Sequence, residues 1–382
     1  MNTNNEKKPI RIFDIKYSTR DKEIMHSYVD QILEEAYLSN HTFCRKLESA
    51  MHETHLKHNF ICCSSATTGL EAIFRYINIK DKAVLVQSNT FIATAHAIDS
   101  AGGIIVPFDL NNEYVASFED IKKAYFFCKE QNIEVSAVCV VNIAGRASNE
   151  IFQIKYFCEE NNIFLIEDNA QGVHSKIKNY YLGEVGQFSA YSFQTTKVVA
   201  SGEGGLISCS KKEDEHNLRN FISFGKDPNN GLNFKDISGN FKLSELNAAM
   251  ALMDLNRSGE RLKRRKKIDM LYKNNLSSKK IFYLEPPEGN IPNFYKTILL
   301  ASNNDLRTEI ESIFRKKNIA MTGYVYKIPL NLQKRVLKFS KYLNRHLPNT
   351  EKYTKCHFTP PNYPELEDYD VMRIIDTLNS VN

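Results

Sequence analysis

Between residues 20 and 210 the apolar positions of this chain alternate between two rhythms. "RDKEIMHSYVDQILEEAYL", "FCRKLESAMHETHL" and "TTGLEAIFRYINI" carry apolar residues at helical spacing. The strand "AVLVQ" (83–87) follows, then the helix "FIATAHAIDSAG", stopped by glycines, and the strand "IIVPF" (104–108). Helix "FEDIKKAYFFCKEQ", strand "VSAVCVVNI" (135–143), helix "EIFQIKYFCEENN" and strand "IFLIEDNA" (163–170) continue the series. Unbroken apolar strands separated by helices predict an α/β fold with a parallel sheet covered on both faces. Two more apolar runs, Gln187–Phe193 and Leu206–Cys209, flank the stretch "QTTKVVASGEGG".

A long amphipathic helix over 243–276, bent near Asn256–Gly259, closes this region. Beyond "LEPPEGNIPNFYK" the pattern changes to the helices "DLRTEIESIFRKKNIAM" and "DYDVMRIIDTLNSV", joined by aromatic and proline-rich loops. The expected organisation is a large α/β domain over 1–255 and a smaller α+β domain over 256–382.

Composition narrows the function. With 382 residues and 42% hydrophobic content, the chain can bury a sizeable core. Fifty basic against 45 acidic residues leave +5, spread along the chain. The densest basic run, Arg261 to Lys267, reads as a solvated helix face, so nucleic acid is not an expected partner. No apolar stretch reaches membrane-spanning length and the start lacks a signal-peptide core, so a cytoplasmic protein with no membrane partner is expected. The eight cysteines form no CxxC and read as small core hydrophobes. His52, His55 and His58 are not an HExxH motif and drift around a helix, so no metal site is expected.

Three features carry chemistry. Asp168 stands where the strand "FLIED" runs out, and open α/β sheets bind ligands beyond the carboxyl ends of their strands. An N-cap is the plainer account of such an aspartate; Gln171 follows on the same turn. Ser64, Ser65, Thr67 and Thr68 crowd a helix entrance, where unpaired N–H groups and small hydroxylated residues suit a phosphate. Neither a Walker A loop nor GxGxxG is present. Lys197 lies between small residues and a glycine loop. A lysine, a strand-end acid and a phosphate cradle are what pyridoxal 5'-phosphate requires: an amine for its aldehyde, a carboxylate for its pyridine nitrogen, and an anion site. Phe91, just past another strand end, is placed to stack on a ring.

These residues resemble the nucleotide-sugar aminotransferases, the DegT-type family of fold-type I pyridoxal-phosphate enzymes. The likeness runs from "IRIFDIKYS" to "YPELEDYDV". It is strongest in "SSATTGLEA", "VLVQSNTFIATAHAI", "FLIEDNAQGVHS", "GEVGQFSAYSFQTTKVVASGEGGLI" and "GNFKLSELNAAMA". It implies that Lys197 bonds the cofactor aldehyde and then shuttles protons. Asp168 would pair with the ring nitrogen, and Gln171 would meet the phenolic oxygen. Ser192, Thr67 and the backbone around Ala66 and Thr68 would hold the phosphate, with Phe91 stacked on the ring. Asn240 of "GNF" would reach the phosphate of the neighbouring subunit, making the protein a homodimer with shared sites. The implied reaction transfers an amino group from glutamate to a keto carbon of a nucleotide-linked sugar, for surface polysaccharide or lipopolysaccharide.

Four positions depart from the family pattern. Ala66 replaces a glycine, and Asn142, Val325 and Asn331 stand where histidines are usual, at positions expected to read the sugar or nucleotide. A substrate without a nucleotide, either a sugar or a cyclitol, is the alternative within this chemistry. A dehydratase of the same fold would carry histidine in place of Lys197. A non-catalytic cofactor-binding protein would not need to keep both Lys197 and Asp168. His96 and His174 are further candidates for contact with substrate.

Overall fold

The computed structural model describes residues 8–227, 230–234, 238–321, 326–333, 342 and 345–381. Its centre is a seven-stranded sheet. The strands in chain order are β1 (Asn59–Cys63), β2 (Ala83–Gln87), β3 (Ile104–Phe108), β4 (Val135–Val141), β5 (Phe164–Asp168), β6 (Phe188–Ser192) and β7 (Gly205–Cys209). Across the sheet they run β1-β7-β6-β5-β4-β2-β3. The neighbours from β3 to β6 pair in parallel, while β7 is antiparallel to both β6 and β1.

The predicted strands at 83–87 and 104–108 have those bounds, and those at 135–143 and 163–170 end two residues early. The sheet is the mostly parallel one expected from the sequence, with β7 as its antiparallel strand. Every parallel neighbour up to β5 is reached through a helix, whereas β6 returns to β7 through residues 193–204 with no helix between them. That short connection folds back on itself, so β7 lies antiparallel beside β6. β1 was not predicted: "NFICC" is too short and uniformly apolar to show a period.

Helices α1 (Thr19–Glu35), α2 (Thr42–Thr54), α3 (Ala66–Tyr76), α4 (Ile92–Ser100), α5 (Phe118–Glu130), α6 (Ile151–Glu160), α7 (Lys212–Phe221) and α8 (Glu245–Asn256) surround the sheet, and α9 (Ser258–Asn275) leads away from it. One core packs α3, α4 and α7 on one face, and a second packs α5 and α6 on the other. A third sets α2 and α8 against β1, β6 and β7. β2 and β4 are buried along their whole length, which is why they read as unbroken apolar runs.

The bend expected near Asn256–Gly259 is a break at Arg257, between α8 and α9. Residues of α8 belong to the sheet's cores, while Ile268 and Tyr272 of α9 join a separate core with Leu299, Phe314 and Ile374. Ile10 also packs there and bridges Ile319, so the start of the chain meets the C-terminal unit. We propose a two-domain division near residue 256 on that basis.

The basic run on α9 is not a freely solvated face. Arg261 pairs with Glu365 at 2.6 Å, Arg264 and Lys267 both pair with Asp368, and Arg265 is buried. The histidines of "MHETHLKH" each bond a neighbouring oxygen: His52 meets the His58 carbonyl, His55 the Met51 carbonyl, and His58 the Ser208 hydroxyl. Among the described residues, no cluster of His, Cys, Asp or Glu is arranged to hold a metal, and no helix is long and apolar enough to cross a membrane.

Burial pushes His58, His174 and His357 down to about 4, and His55 to about 3. With folded values below the ordinary 6.5, the unfolded chain binds more protons between roughly pH 6.5 and 4, so stability drains away as pH falls through that window. The melting temperature should decline from pH 7 to 5, and His58→Asn should flatten that slope.

Candidate active site

The register of the sheet gathers the site at one edge. Ser192, the last residue of β6, pairs with Gly205 at the start of β7, and Gly205 pairs with Cys63 at the end of β1. Asp168 ends β5 beside Val141 and Ala190. A Cβ on Gly205 would stand 2.6 Å from the Ser65 carbonyl carbon and 2.7 Å from the Ala66 nitrogen, so only glycine lets β7 lie against the N-terminus of α3. These strand ends enclose a cavity of about 450 Å³ whose lining includes Ala66, Thr67, Phe91, Asp168, Gln171, Ser192 and Lys197.

The entrance of α3 divides into cap and cradle. Ser65 and Thr68 form a capping box: the Thr68 N–H donates to Ser65 Oγ at 3.1 Å, and Thr68 Oγ1 accepts from the Ser65 N–H at 3.0 Å. Thr68 does not line the cavity. The N–H groups of Ala66 and Thr67, in the first turn, have no acceptor within their own helix. They share one wall of the cavity with Thr67 and Ser192, a setting that suits an anion.

Asp168 is 6% exposed and bonded at both oxygens, from Thr94 Oγ1 at 2.7 Å and from the Ala170 N–H at 3.1 Å. Burial raises its carboxyl above the ordinary 3.8, against the pull of Thr94, Ala170 and Lys197. It has no ion-pair partner among the described residues. Glu167, its neighbour, faces the opposite way. Its carboxylate accepts the N–H groups of Gly183, Val185 and Gly186 within 2.9 Å, together with Asn142 Nδ2.

Gln171 is fixed by two bonds: Nε2 donates to the Tyr326 hydroxyl at 2.7 Å, and Oε1 accepts from the Ala144 N–H at 2.8 Å. Phe91 is the N-cap of α4 and 57% exposed at the cavity wall, 5.8 Å from the Tyr326 ring. Lys197 sits in the loop from β6 to β7, its N–H bonded to the Gln194 carbonyl at 2.8 Å. The loop is clamped by α8, where Asn247 Nδ2 donates to the Ser201 and Glu203 carbonyls and Asp254 accepts from the Ala200 N–H. Lys197 Nζ lies 5.4 Å from the centre of the Tyr295 ring.

Other expected residues fall elsewhere. Asn240 is exposed on a bridge to Ser223 and does not line this chain's own cavity. Asn331 is not a substrate reader here: it is buried, accepts from Ser88 Oγ and donates to the Arg345 carbonyl and to Glu351. Val325 lies outside the described residues. Asn142 lines the cavity, but its amide donates to Glu167 and Asn169. His174 is turned to the Ser258 hydroxyl at 2.8 Å, and His96 is exposed; neither lines the cavity. Sequence reasoning missed Thr94, Glu203, Tyr295, Lys296 and Tyr326. The last three come from 290 and beyond, and no local pattern ties those loops to the sheet.

The sequence profile of the DegT/DnrJ/EryC1/StrS aminotransferase family matches residues 19–379. The chain belongs to that family, and its class is the pyridoxal-phosphate-dependent aminotransferases. It is similar, at 24% identity over 377 residues, to the GDP-perosamine synthase of Escherichia coli O157:H7, covering 97% of this chain and 98% of that protein. It is also similar to the UDP-4-amino-4,6-dideoxy-N-acetyl-beta-L-altrosamine transaminase of Campylobacter jejuni subsp. jejuni serotype O:23/36, at 24% identity over 324 residues, 83% of this chain and 84% of that one. Among solved structures, a DegT DnrJ EryC1 StrS aminotransferase from Brucella abortus superposes with a TM-score of 0.87 at 24% identity, covering 94% of this chain and 95% of that one. Helicobacter pylori PseC, an aminotransferase involved in the biosynthesis of pseudoaminic acid, gives 0.83 at 19% identity, over 97% and 98%.

The residues present fit pyridoxal phosphate. A buried acid without a cation, an open helix terminus beside a serine, an exposed aromatic ring and a lysine share one cavity. Asp168→Asn should leave the cofactor-free protein at least as stable at neutral pH. A carboxyl whose folded value is raised favours folding most below its unfolded value, and that contribution falls as pH rises through the folded one. The same variant should lose about 10²–10³-fold in activity, the scale for removing one preorganised electrostatic partner. Gly205→Ala should destabilise by about 1–3 kcal/mol through overpacking and weaken cofactor retention, read by denaturation and by cofactor titration.

Proposed function

We propose that this protein transfers an amino group from glutamate to a keto carbon of a nucleotide-linked sugar. One observation carries the reading: Lys197, Asp168 and the open N-terminus of α3 converge on a single cavity. The sugar class is supported by the names of the two curated relatives, a GDP-sugar synthase and a UDP-sugar transaminase.

When bound, the cofactor supplies an aldehyde that accepts the amino group and a ring that withdraws electrons from the donor's α-carbon. The protein does the rest. Ala66, Thr67 and Ser192 bind the phosphate, and Phe91 covers a ring face. Asp168 holds the proton of the ring nitrogen by charge pairing in a buried setting, where such a pair is strong. Gln171, held by Ala144 and Tyr326, keeps its amide at a fixed angle. Lys197 Nζ carries the proton from the donor carbon during the first half-reaction and delivers one to the new amine-bearing carbon in the second.

A homodimer is part of this reading. Asn240 lies on the surface next to the half-exposed Phe224, against which Lys242 stacks at 4.3 Å. That is a patch from which it can serve the partner's phosphate. The eight cysteines are unpaired and seven are buried, which supports a reducing, cytoplasmic setting. Surface polysaccharide is the expected destination of the product.

The deciding experiment is the visible spectrum of the purified protein before and after glutamate. A band from lysine-bound cofactor should appear, bleach with glutamate and return with a keto-sugar nucleotide. Lys197→Ala should lose turnover by about 10⁴-fold, the upper range for a positioned acid–base group. A band that no amino donor alters would sink the aminotransferase reading.

A further inference from the structure

Three cations meet at one tyrosine. The ammonium groups of Lys197 and Lys296 lie 5.4 and 5.0 Å from the centre of the Tyr295 ring. The Tyr295 hydroxyl bonds Thr196 at 3.1 Å. Behind them is a second cavity of about 290 Å³, bounded by Thr196, Arg265, Tyr295 and Lys296 and by the apolar Phe13 and Pro360. Thr196, Tyr295 and Lys296 line this cavity and the Lys197 cavity alike.

No carboxylate pairs with Arg265 or Lys296 among the described residues. Arg265 is 5% exposed; one of its terminal nitrogens donates to the Asn362 carbonyl, and its buried Nε has no partner. A guanidinium buried without an acid is costly unless an anion completes it. Burial, and then Arg261, pushes Arg265 down to about 10, so it remains charged at neutral pH. Burial would raise Tyr295, yet Lys197 and Lys296 outweigh it and draw the phenol below its ordinary value. Glu365 and Asp254 are near enough to favour the charged guanidinium, and Glu203 lines the adjoining Lys197 cavity, but none of the three bonds Arg265 or Lys296 among the described residues.

We infer that Arg265 and Lys296 anchor a carboxylate of the amino donor in this second cavity. The inference rests on the aminotransferase reading and names how that reaction holds its donor. Both substrates must present their reacting carbon to Lys197 in turn, so they need different anchors. The volume is at the floor of the roughly 300–1,000 Å³ typical of small-molecule sites, room for a short dicarboxylic acid rather than a nucleotide. A guanidinium and an ammonium suit a carboxylate, and Phe13 and Pro360 suit a methylene chain.

The same cations would also attract a diphosphate, so the test separates the two sources. Glutarate, a dicarboxylate with no amino group, is titrated calorimetrically into the cofactor-loaded enzyme, with uridine and guanosine diphosphates in parallel. Lys296→Met and Arg265→Lys are compared with wild type, with melting temperature as a fold check. Lys296 has no hydrogen bond to lose among the described residues, and Arg265→Lys keeps the charge. The expected result is at least about 10-fold weaker glutarate binding in Lys296→Met, the scale of one charged hydrogen bond. The KM for glutamate should rise in parallel, and nucleoside diphosphate affinity should stay within about twofold. Glutarate binding that neither variant changes overturns the inference, as does a loss falling on the diphosphates, or on both ligands together with the melting temperature. Wild type that binds glutarate but is not bleached by glutamate would sink the donor reading and leave the anion site standing. Bleaching with indifferent variants would do the reverse.

Discussion

The contact between β7 and the first turn of α3 is the constraint on which the site depends. At Gly205 there is no space for a side chain, because backbone from Ser65, Ala66 and Tyr191 occupies it. This closeness sets Ser192 beside the open N–H groups of Ala66 and Thr67. It also fixes where the loop from β6 to β7 must turn, and hence where Lys197 projects. Asn247 and Asp254 clamp the far side of that loop from α8. Lys197 thus stands on backbone held from two directions.

Two adjacent carboxylates on β5 show how one strand serves structure and chemistry at once. Side chains alternate across a strand, so Glu167 and Asp168 face opposite ways. Glu167 is answered by three backbone N–H groups and Asn142, and it shapes the turn over residues 183–186. Asp168 has only Thr94 and the Ala170 N–H, and its charge remains unanswered by any ion pair among the described residues. The first is a satisfied anchor. The second is a buried acid at the wall of the cavity.

Much of this was legible from the chain alone. Unbroken apolar strands at 83–87 and 104–108, alternating with helices, are local patterns, and local patterns survive folding when burial on both faces enforces them. Asp168, Ser192, Phe91 and Thr67 stand at the ends of such elements and Gln171 and Lys197 in the loops that follow them, and the structure brings all six to one cavity. Thr68 and Asn331 show the limit of that logic. Both are polar residues in suggestive places, and both are taken up by caps and loop anchors. The basic run on α9 misled for a related reason: its partners, Glu365 and Asp368, lie about a hundred residues away.

What the sequence determined by itself was the α/β class, the strand ends and the set of groups that a pyridoxal-phosphate enzyme needs, because each is encoded within a few neighbouring residues. The tertiary structure alone decided the antiparallel return of β7 and the separation of Glu167 from Asp168 into different roles. It also brought Tyr295, Lys296 and Tyr326 to Lys197 and Gln171. Those facts depend on which surfaces pack together in three dimensions, from a turn's length apart to well over a hundred residues for Gln171 and Tyr326, and no periodicity along the chain records that pairing.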